Sequence, residues 1–235
     1  HLNYSNVCVF DCTFCSFYRR EGAEGAWEMD LDAVFAYAAK SRFEKLNEIH
    51  IVGGVHPKLP WKYYLELVRG LKERYPSLHI KAFTATEIDH FTKISKQDVR
   101  GVLEELREAG LESLPGGGAE IFAPRVWDQI CSGKAKPERW LEVHRTWHRM
   151  GGRSTSTMLY GHIETVEERV DHMLQLRALQ DETGGFTAFI PLAYHVDNNA
   201  LKGIAKPTAQ TDLKVHAVAR LLLDKLRAEA LSFLG

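Results

Sequence analysis

The sequence predicts an α/β protein, a partial (β/α)6 barrel of TIM type with its ligand site at the C-terminal ends of the strands. Two observations carry this expectation. First, short apolar runs alternate with longer stretches of helical periodicity along 235 residues, giving six strand–helix units. Right-handed crossovers between such units close most naturally into a barrel or partial barrel. Second, the apolar runs end on glycine, cysteine or polar residues, at the positions where a parallel barrel builds its site. Periodicity alone leaves a doubly wound open sheet as the alternative. The chain shows no repeat, low-complexity segment or linker and reads as a single core domain over residues 1–235.

The elements follow in order. His1–Tyr4 reads as a first strand leading into a cysteine loop. A helix is expected near Asp30–Lys45, with Leu31, Val34, Phe35 and Ala38 at helical spacing. Glu48–Val52 reads as a strand, Trp61–Tyr75 as a helix stopped by Pro76, and Leu78–Phe83 as a strand. Ser95 with Asp98 resembles a capping box opening a helix to Ala109, closed by Gly110. After a short strand at Glu112–Leu114, Pro137 suits the first turn of a helix to Met150. Ser154–Leu159 is the fifth strand. Thr165 and Glu168 form a second capping box for a helix to about Asp181. Phe186–Leu192 is a continuous apolar run, as in a parallel sheet, and a last helix is expected over Asp212–Leu231.

Composition narrows the function. Hydrophobic content of 45% and charged content of 26% are those of a soluble globular domain. A formal charge of −1 favours neither nucleic acid nor an anionic membrane as partner. No apolar run approaches the roughly 20 residues that span a bilayer. A loop of reduced thiols fits the cytoplasm. The chain begins at His1 without Met and is expected to be a fragment.

Three of the four cysteines, Cys8, Cys12 and Cys15, lie within eight residues at C-x3-C-x2-C spacing. Three is odd, and the residues are too close to staple a fold, so a metal is the better reading than a disulfide. Spacing alone admits an iron–sulfur cluster with one iron left open, or a zinc site completed by one of the eleven histidines. Cys131, among Trp127 and Ile130, reads as a buried thiol and a secondary candidate for a fourth ligand. His144 and His148 have the i, i+4 spacing of zinc ligands but lack the HExxH pattern, and read as surface or packing.

The remaining strand ends each admit a ligand-binding and a structural reading. Gly53-Gly54 either presents backbone to a ligand or makes a tight turn. Gly116-Gly117-Gly118 either cradles a carboxylate or forms a flexible loop. Glu87 and Glu164 either accept hydrogen bonds from a ligand's ribose or amino group or sit as helix N-terminal charges. His56, His162 and His195 are general acid–base candidates or hydrogen-bonded structural histidines. A non-catalytic metal-binding protein is the competing class.

The pattern Cys8-x3-Cys12-x-Phe14-Cys15 resembles the signature of the radical S-adenosylmethionine (SAM) enzymes. That resemblance implies a [4Fe-4S] cluster whose open iron takes the amino and carboxylate groups of SAM. Longer runs are similar to the aminodeoxyfutalosine synthase family of menaquinone biosynthesis: residues 1–8, Ile49–Pro57, Lys81–Ile88, Leu114–Phe122, Met158–Thr165 and Leu176–Leu192. The cysteine loop and the Pro-Gly-Gly-Gly run are shared with cyclic dehypoxanthinyl futalosine synthases and FO synthases. The resemblance implies a transferase that adds the 5′-deoxyadenosyl radical to 3-[(1-carboxyvinyl)oxy]benzoate, with flavodoxin or ferredoxin as electron donor. It assigns Cys8, Cys12 and Cys15 to the cluster and Phe14 to the adenine. Gly53, Gly54, Thr84, Glu87, Gly161 and Glu164 fall to SAM, and His56, Glu120, Tyr160 and His162 to the substrate side. Val55 and His56 stand where the superfamily has the Glu of its Gly-Gly-Glu motif. The family also has segments before the first strand and after Asp224.

Overall fold

A computed structural model describes residues 1–40, 47–224 and 226–228. They form two compact units, His1–Phe10 with Phe17–Pro115, and Asp11–Ser16 with Gly116–Gly235.

The first unit contains α1 (Leu31–Lys40), β1 (Glu48–Ile51), α2 (Trp61–Arg74), β2 (His79–Ala82), α3 (Ala85–Ser95), α4 (Val99–Ala109) and β3 (Ser113–Leu114). β1 runs parallel to β2, from Glu48 opposite His79 to Ile51 opposite Ala82, and β2 meets β3 at Lys81 and Ser113. Ile49, Ile51, Ile80 and Ala82 are buried. The expected first strand is reduced to one parallel bridge, Leu2 with Ile51. Beyond it, the Tyr4 ring joins an aromatic cluster with Tyr63, Tyr64 and Phe83, at centroid distances of 6.2, 5.6 and 6.3 Å. α1 ends its described course at Lys40, and the rest of the expected Asp30–Lys45 helix lies outside the described residues.

Helix α3 is absent from the sequence expectation. It starts at a true capping box, in which the Thr84 hydroxyl accepts from the Glu87 amide and the Glu87 carboxylate accepts from the Thr84 amide. The expected box at Ser95 and Asp98 is corrected accordingly. Ser95 ends α3, and Asp98 alone caps α4 by accepting from the Gly101 amide at 2.8 Å. Gly110 closes α4 in the left-handed region at φ 114°, as expected.

The second unit contains α5 (Pro124–Ile130), α6 (Pro137–Arg149), β4 (Arg153–Tyr160), α7 (Val166–Thr183), β5 (Phe186–Ala193), α8 (Ala209–Leu222) and β6 (Arg227–Ala228). β4 and β5 pair in parallel from Thr155 opposite Ala188 to Tyr160 opposite Ala193, and β5 pairs in parallel with β6. The capping box at Thr165 and Glu168 opens α7 as expected. Short α5, opened by Pro124, is an addition to the expected elements. The last helix stops at Leu222 rather than continuing toward Leu231. Leu223 and Leu226 are buried, and the chain returns to the sheet as β6. On α6, His144 and His148 are interior packing groups, each 2.8 Å from Ser154 Oγ. No helix among the described residues is long and apolar enough to cross a membrane.

Candidate functional site

In the first unit, the approach to Cys8 is a backbone frame. Ser5 bridges Glu28, Val7 bridges Arg19, and the Cys8 amide donates to Arg19 O at 3.0 Å. Asn6 ties this frame together, accepting from the Trp27 amide at 2.8 Å and donating to Gly25 O at 2.9 Å. The end of β1 packs beneath it. The Gly54 amide donates to Ser5 O at 2.8 Å, and the Val9 amide donates to Val55 O at 2.9 Å. A Cβ at Gly54 would lie 2.2 Å from Val7 O, and one at Gly53 would lie 2.5 Å from the Tyr4 ring. The two glycines therefore permit close passage of the cysteine segment over the strand end.

Glu87 is the buried anchor of this arrangement. Its Oε1 accepts from Tyr4 OH at 2.7 Å and from the Gly53 amide at 3.1 Å. Its Oε2 accepts from the Thr84 amide at 2.7 Å and the Thr84 hydroxyl at 2.8 Å. Burial pushes the carboxyl above its usual range, and these donors pull against that shift. Thr84 and Glu87 are thus engaged with each other, with Tyr4 and with Gly53. His56 is similarly committed. Its Nδ1 accepts from the Lys58 and Leu59 amides, both at 3.1 Å, and its Nε2 lies 2.5 Å from Glu28 Oε2.

In the second unit, Cys12 and Cys15 form a turn in which the Cys15 amide donates to Cys12 O at 3.0 Å. Thr13, at its apex, is held on both sides. Its amide donates to Ile130 O at 2.9 Å, and its carbonyl accepts from the Ala200 and Leu201 amides at 2.8 and 2.9 Å. Beyond Ile130, a turn closed by the Lys134 amide on Cys131 O at 3.0 Å carries a buried lysine. Lys134 pairs with Glu120, and its Nζ lies 5.7 Å from the Phe14 ring centroid and 5.6 Å from that of Trp127. Burial acts to lower the Lys134 pKa, but Glu120, Cys12 and Cys131 outweigh it and hold the ammonium above its ordinary value. Glu120 itself has φ 44°, an uncommon backbone state for a side-chain-bearing residue.

The glycine run before Glu120 has structural work at its first position. The Gly116 amide donates to Thr155 Oγ1 at 2.9 Å, and its carbonyl accepts from Thr157 Oγ1 at 2.7 Å. A Cβ there would stand 2.6 Å from Ser156 Cα. Gly117 O accepts from Trp140 Nε1 at 3.2 Å, and Gly118 turns the chain at φ 86°.

At the end of β4, Tyr160 OH donates to Asp212 Oδ1 at 2.8 Å; burial and then Asp212 push the phenol up. Glu164 organises the next turn. Its Oε1 accepts from the Gly161 amide and from Arg169 Nε, each at 2.6 Å, and its Oε2 accepts from the His162 amide at 2.8 Å. His162 Nε2 donates to Leu159 O at 3.1 Å, while Nδ1 lies 2.8 Å from the Ile163 amide and 3.1 Å from Glu164 Oε2. Burial lowers the His162 pKa.

Three groups have positional roles that the sequence analysis does not assign. Tyr4 reads there only as part of the first strand, and Lys134 belongs to no periodic pattern or motif. His172 sits on the apolar face of α7 yet spans two segments, accepting from the Phe122 amide at 3.2 Å and donating to Thr157 O at 2.9 Å. It thereby clamps the run that carries Glu120 to β4.

Among the described residues no three His, Cys, Asp or Glu side chains are gathered at metal-binding geometry. The donor set fits an iron–sulfur cluster by its chemistry: three thiols in eight residues, Cys8 and Cys15 half-buried and Cys12 buried, on segments pinned through their backbone. Cys131 does not share that character, because burial pushes its thiol up, as for a small apolar core residue.

The comparisons agree with this chemistry. Residues 2–176 match the family described as the Radical SAM superfamily. The chain is 53% identical over 227 residues to the aminodeoxyfutalosine synthase of Thermus thermophilus, covering 95% of this chain and 61% of that protein. It is 46% identical over 236 residues to the Streptomyces coelicolor aminodeoxyfutalosine synthase, covering 96% of this chain and again 61% of the relative. The chain thus spans about 61% of the length of these curated relatives. Among solved structures, methylornithine synthase (PylB) superposes with a TM-score of 0.74 at 16% identity, covering 97% of this chain and 62% of that one. This likeness concerns the fold, a partial TIM-type α/β barrel. Matched over residues 2–176, with its three cysteines inside the matched span, the chain belongs to the radical SAM superfamily.

Proposed function

We propose that the chain is the core of an aminodeoxyfutalosine synthase, a transferase of the radical SAM type. In this reading it joins the 5′-deoxyadenosyl group of SAM to the enol-ether carbon of 3-[(1-carboxyvinyl)oxy]benzoate. The carboxyl carbon of the adduct leaves and takes up one water as bicarbonate, the electron lent to SAM is returned, and the other products are 6-amino-6-deoxyfutalosine and methionine. The observation that carries the reading is 53% identity over 227 residues to an aminodeoxyfutalosine synthase. Cys8, Cys12 and Cys15 would hold a [4Fe-4S] cluster, which when bound supplies one electron to SAM and anchors its amino-acid end.

The chain's own residues position the reactants and exclude water. Phe14 offers a face to the adenine. Gly53 and Gly54 bring backbone close to the methionine end of SAM. Thr84 and Glu87 in the first unit, and Gly161 and Glu164 in the second, are the other residues this reading gives to SAM. The hydrogen bonds of Glu87 and Glu164 fix the glycine turns, so that little reorganisation remains when the cosubstrate binds. His56, Glu120, Tyr160 and His162 stand on the substrate side. His162 is held by hydrogen bonds to Leu159 and Ile163, and Glu120 is already paired with Lys134. A flavodoxin or ferredoxin is the electron donor in this reading.

The test is product analysis. The protein, reconstituted anaerobically with iron and sulfide, is incubated with SAM, 3-[(1-carboxyvinyl)oxy]benzoate and a reductant, and the mixture is resolved by mass spectrometry. Aminodeoxyfutalosine and methionine in equal amounts are expected. SAM cleavage to 5′-deoxyadenosine without an adduct would exclude this reaction and point to another member of the superfamily.

A further inference from the structure

We propose that Lys134 tunes the electronic charge at the cysteine turn: a buried cation that makes the bound cluster easier to reduce, with Glu120 as its opposing partner. The inference deepens the proposed function and rests on its assignment of a four-iron cluster to Cys8, Cys12 and Cys15.

Lys134 is an unusual lysine. Its side chain is only 8% exposed, and its partner Glu120 is 10% exposed. Isolated charges are rarely placed in an interior, and a buried ion pair is weak evidence for stability, because desolvation offsets the attraction. A pair held in such a place therefore invites a role other than stability. Its surroundings are specific. The turn that carries Lys134 begins where Ile130 O receives the Thr13 amide, so it is hydrogen-bonded to the apex of the Cys12–Cys15 turn. The ammonium looks onto Phe14, one of the two residues between those cysteines, and onto Trp127. The opposing carboxylate is held by a left-handed backbone at Glu120 that ordinary side chains seldom adopt.

Cluster potentials depend on local net charge, hydrogen bonding and burial. One-electron reduction adds a negative charge to the cluster. A fixed positive charge in a poorly solvated environment favours the reduced form, because little water is present to screen it. A fixed negative charge at Glu120 does the opposite. Lys134 is thus a positioning and tuning residue, not one that exchanges protons with substrate. Its role requires only that the ammonium stay charged.

The test uses four proteins reconstituted anaerobically: the unaltered chain, Lys134→Met, Lys134→Arg and Glu120→Gln. Iron and sulfide content is measured first. The midpoint potential of the cluster is then obtained by EPR-monitored redox titration, without SAM or substrate. Lys134→Met is expected to shift the midpoint to more negative values, reducing the reduced-to-oxidised ratio at fixed potential about tenfold, or about 59 mV for one electron. Glu120→Gln is expected to shift it the other way, and Lys134→Arg to leave it near the starting value. Opposite signs separate a charge effect from general damage to the loop. Unchanged potentials in all three, or shifts of the same sign in Lys134→Met and Glu120→Gln, would overturn the proposal. Should Lys134→Met fail to retain a cluster, the sign of the Glu120→Gln shift and the Lys134→Arg value decide. A starting protein that binds no iron or sulfide would instead defeat the cluster assignment itself.

Discussion

Protonation of His172 should cost the fold a calculable amount. The imidazole is fully buried, tilted at 33° against Phe122 with ring centroids 4.0 Å apart, and holds two fixed hydrogen bonds. Nε2 donates to Thr157 O, so Nδ1 is left to accept from the Phe122 amide. A second proton on Nδ1 would face an N–H donor and would place a charge in the core. Burial accordingly lowers the His172 pKa from 6.5 to about 4, with the Thr157 hydrogen bond opposing. Well above pH 6.5 neither the folded nor the unfolded chain carries this proton, and stability is independent of it. Below pH 6.5 the unfolded chain takes the proton first, so stability falls as pH falls, until the folded pKa is passed. Linkage with these two values gives a loss of roughly 1 kcal/mol at pH 5.5 and roughly 3 kcal/mol well below pH 4.

The assay is urea unfolding at pH 7.5 and pH 5.5, on the unaltered protein and on His172→Gln, whose amide can both donate to Thr157 and accept from Phe122. His144 and His148, also held below their ordinary values by burial, contribute to both proteins alike. The variant is expected to lose roughly 1 kcal/mol less between the two pH values. Equal losses in the two proteins would refute the reasoning.

Further outcomes follow from the site. Gly54→Ala puts a methyl group where only 2.2 Å separates it from Val7 O; iron and sulfide bound per chain should fall, with stability lower by about 1–3 kcal/mol, as read by metal analysis and denaturant unfolding. Glu164→Gln keeps the side-chain shape but weakens the charge-assisted bonds to Gly161, His162 and Arg169, so thermal unfolding should show a loss of about 1–3 kcal/mol. Tyr4→Phe removes one donor from buried Glu87, with a loss of about 1–3 kcal/mol expected in the same assay. Cys12→Ser should abolish the visible absorption of a reconstituted cluster while leaving far-ultraviolet circular dichroism near that of the unaltered chain.

Much of the fold is legible in the sequence because its signals are local. Thr165 with Glu168, Gly110 after Ala109, and the apolar run at Phe186 each act within a few residues, and the structure follows them. The same grammar misleads where one motif has two physical uses. Thr84-x-x-Glu87 satisfies the capping-box pattern, yet at a strand end it also reads as a ligand contact; only the helix behind it shows that both side chains serve the helix start. Glu164 has the same ambiguity, and its partner Arg169 lies a turn further on, within α7. The end of α8 depends on the burial of Leu223 and Leu226 and on pairing with β5, which are tertiary effects beyond helical periodicity. The cysteine spacing is legible outright, whereas Lys134 and His172 are not. Their roles come from segments brought together over 14 residues for Lys134 with Glu120, and over 50 for His172 with Phe122.

The most direct test of the central claim is low-temperature EPR of the reconstituted, dithionite-reduced protein, with and without SAM. The account expects a reduced [4Fe-4S] signal whose g-values shift when SAM is added, because three cysteines leave one iron open to it. A cluster signal indifferent to SAM, or stoichiometric zinc in place of a cluster, would contradict it.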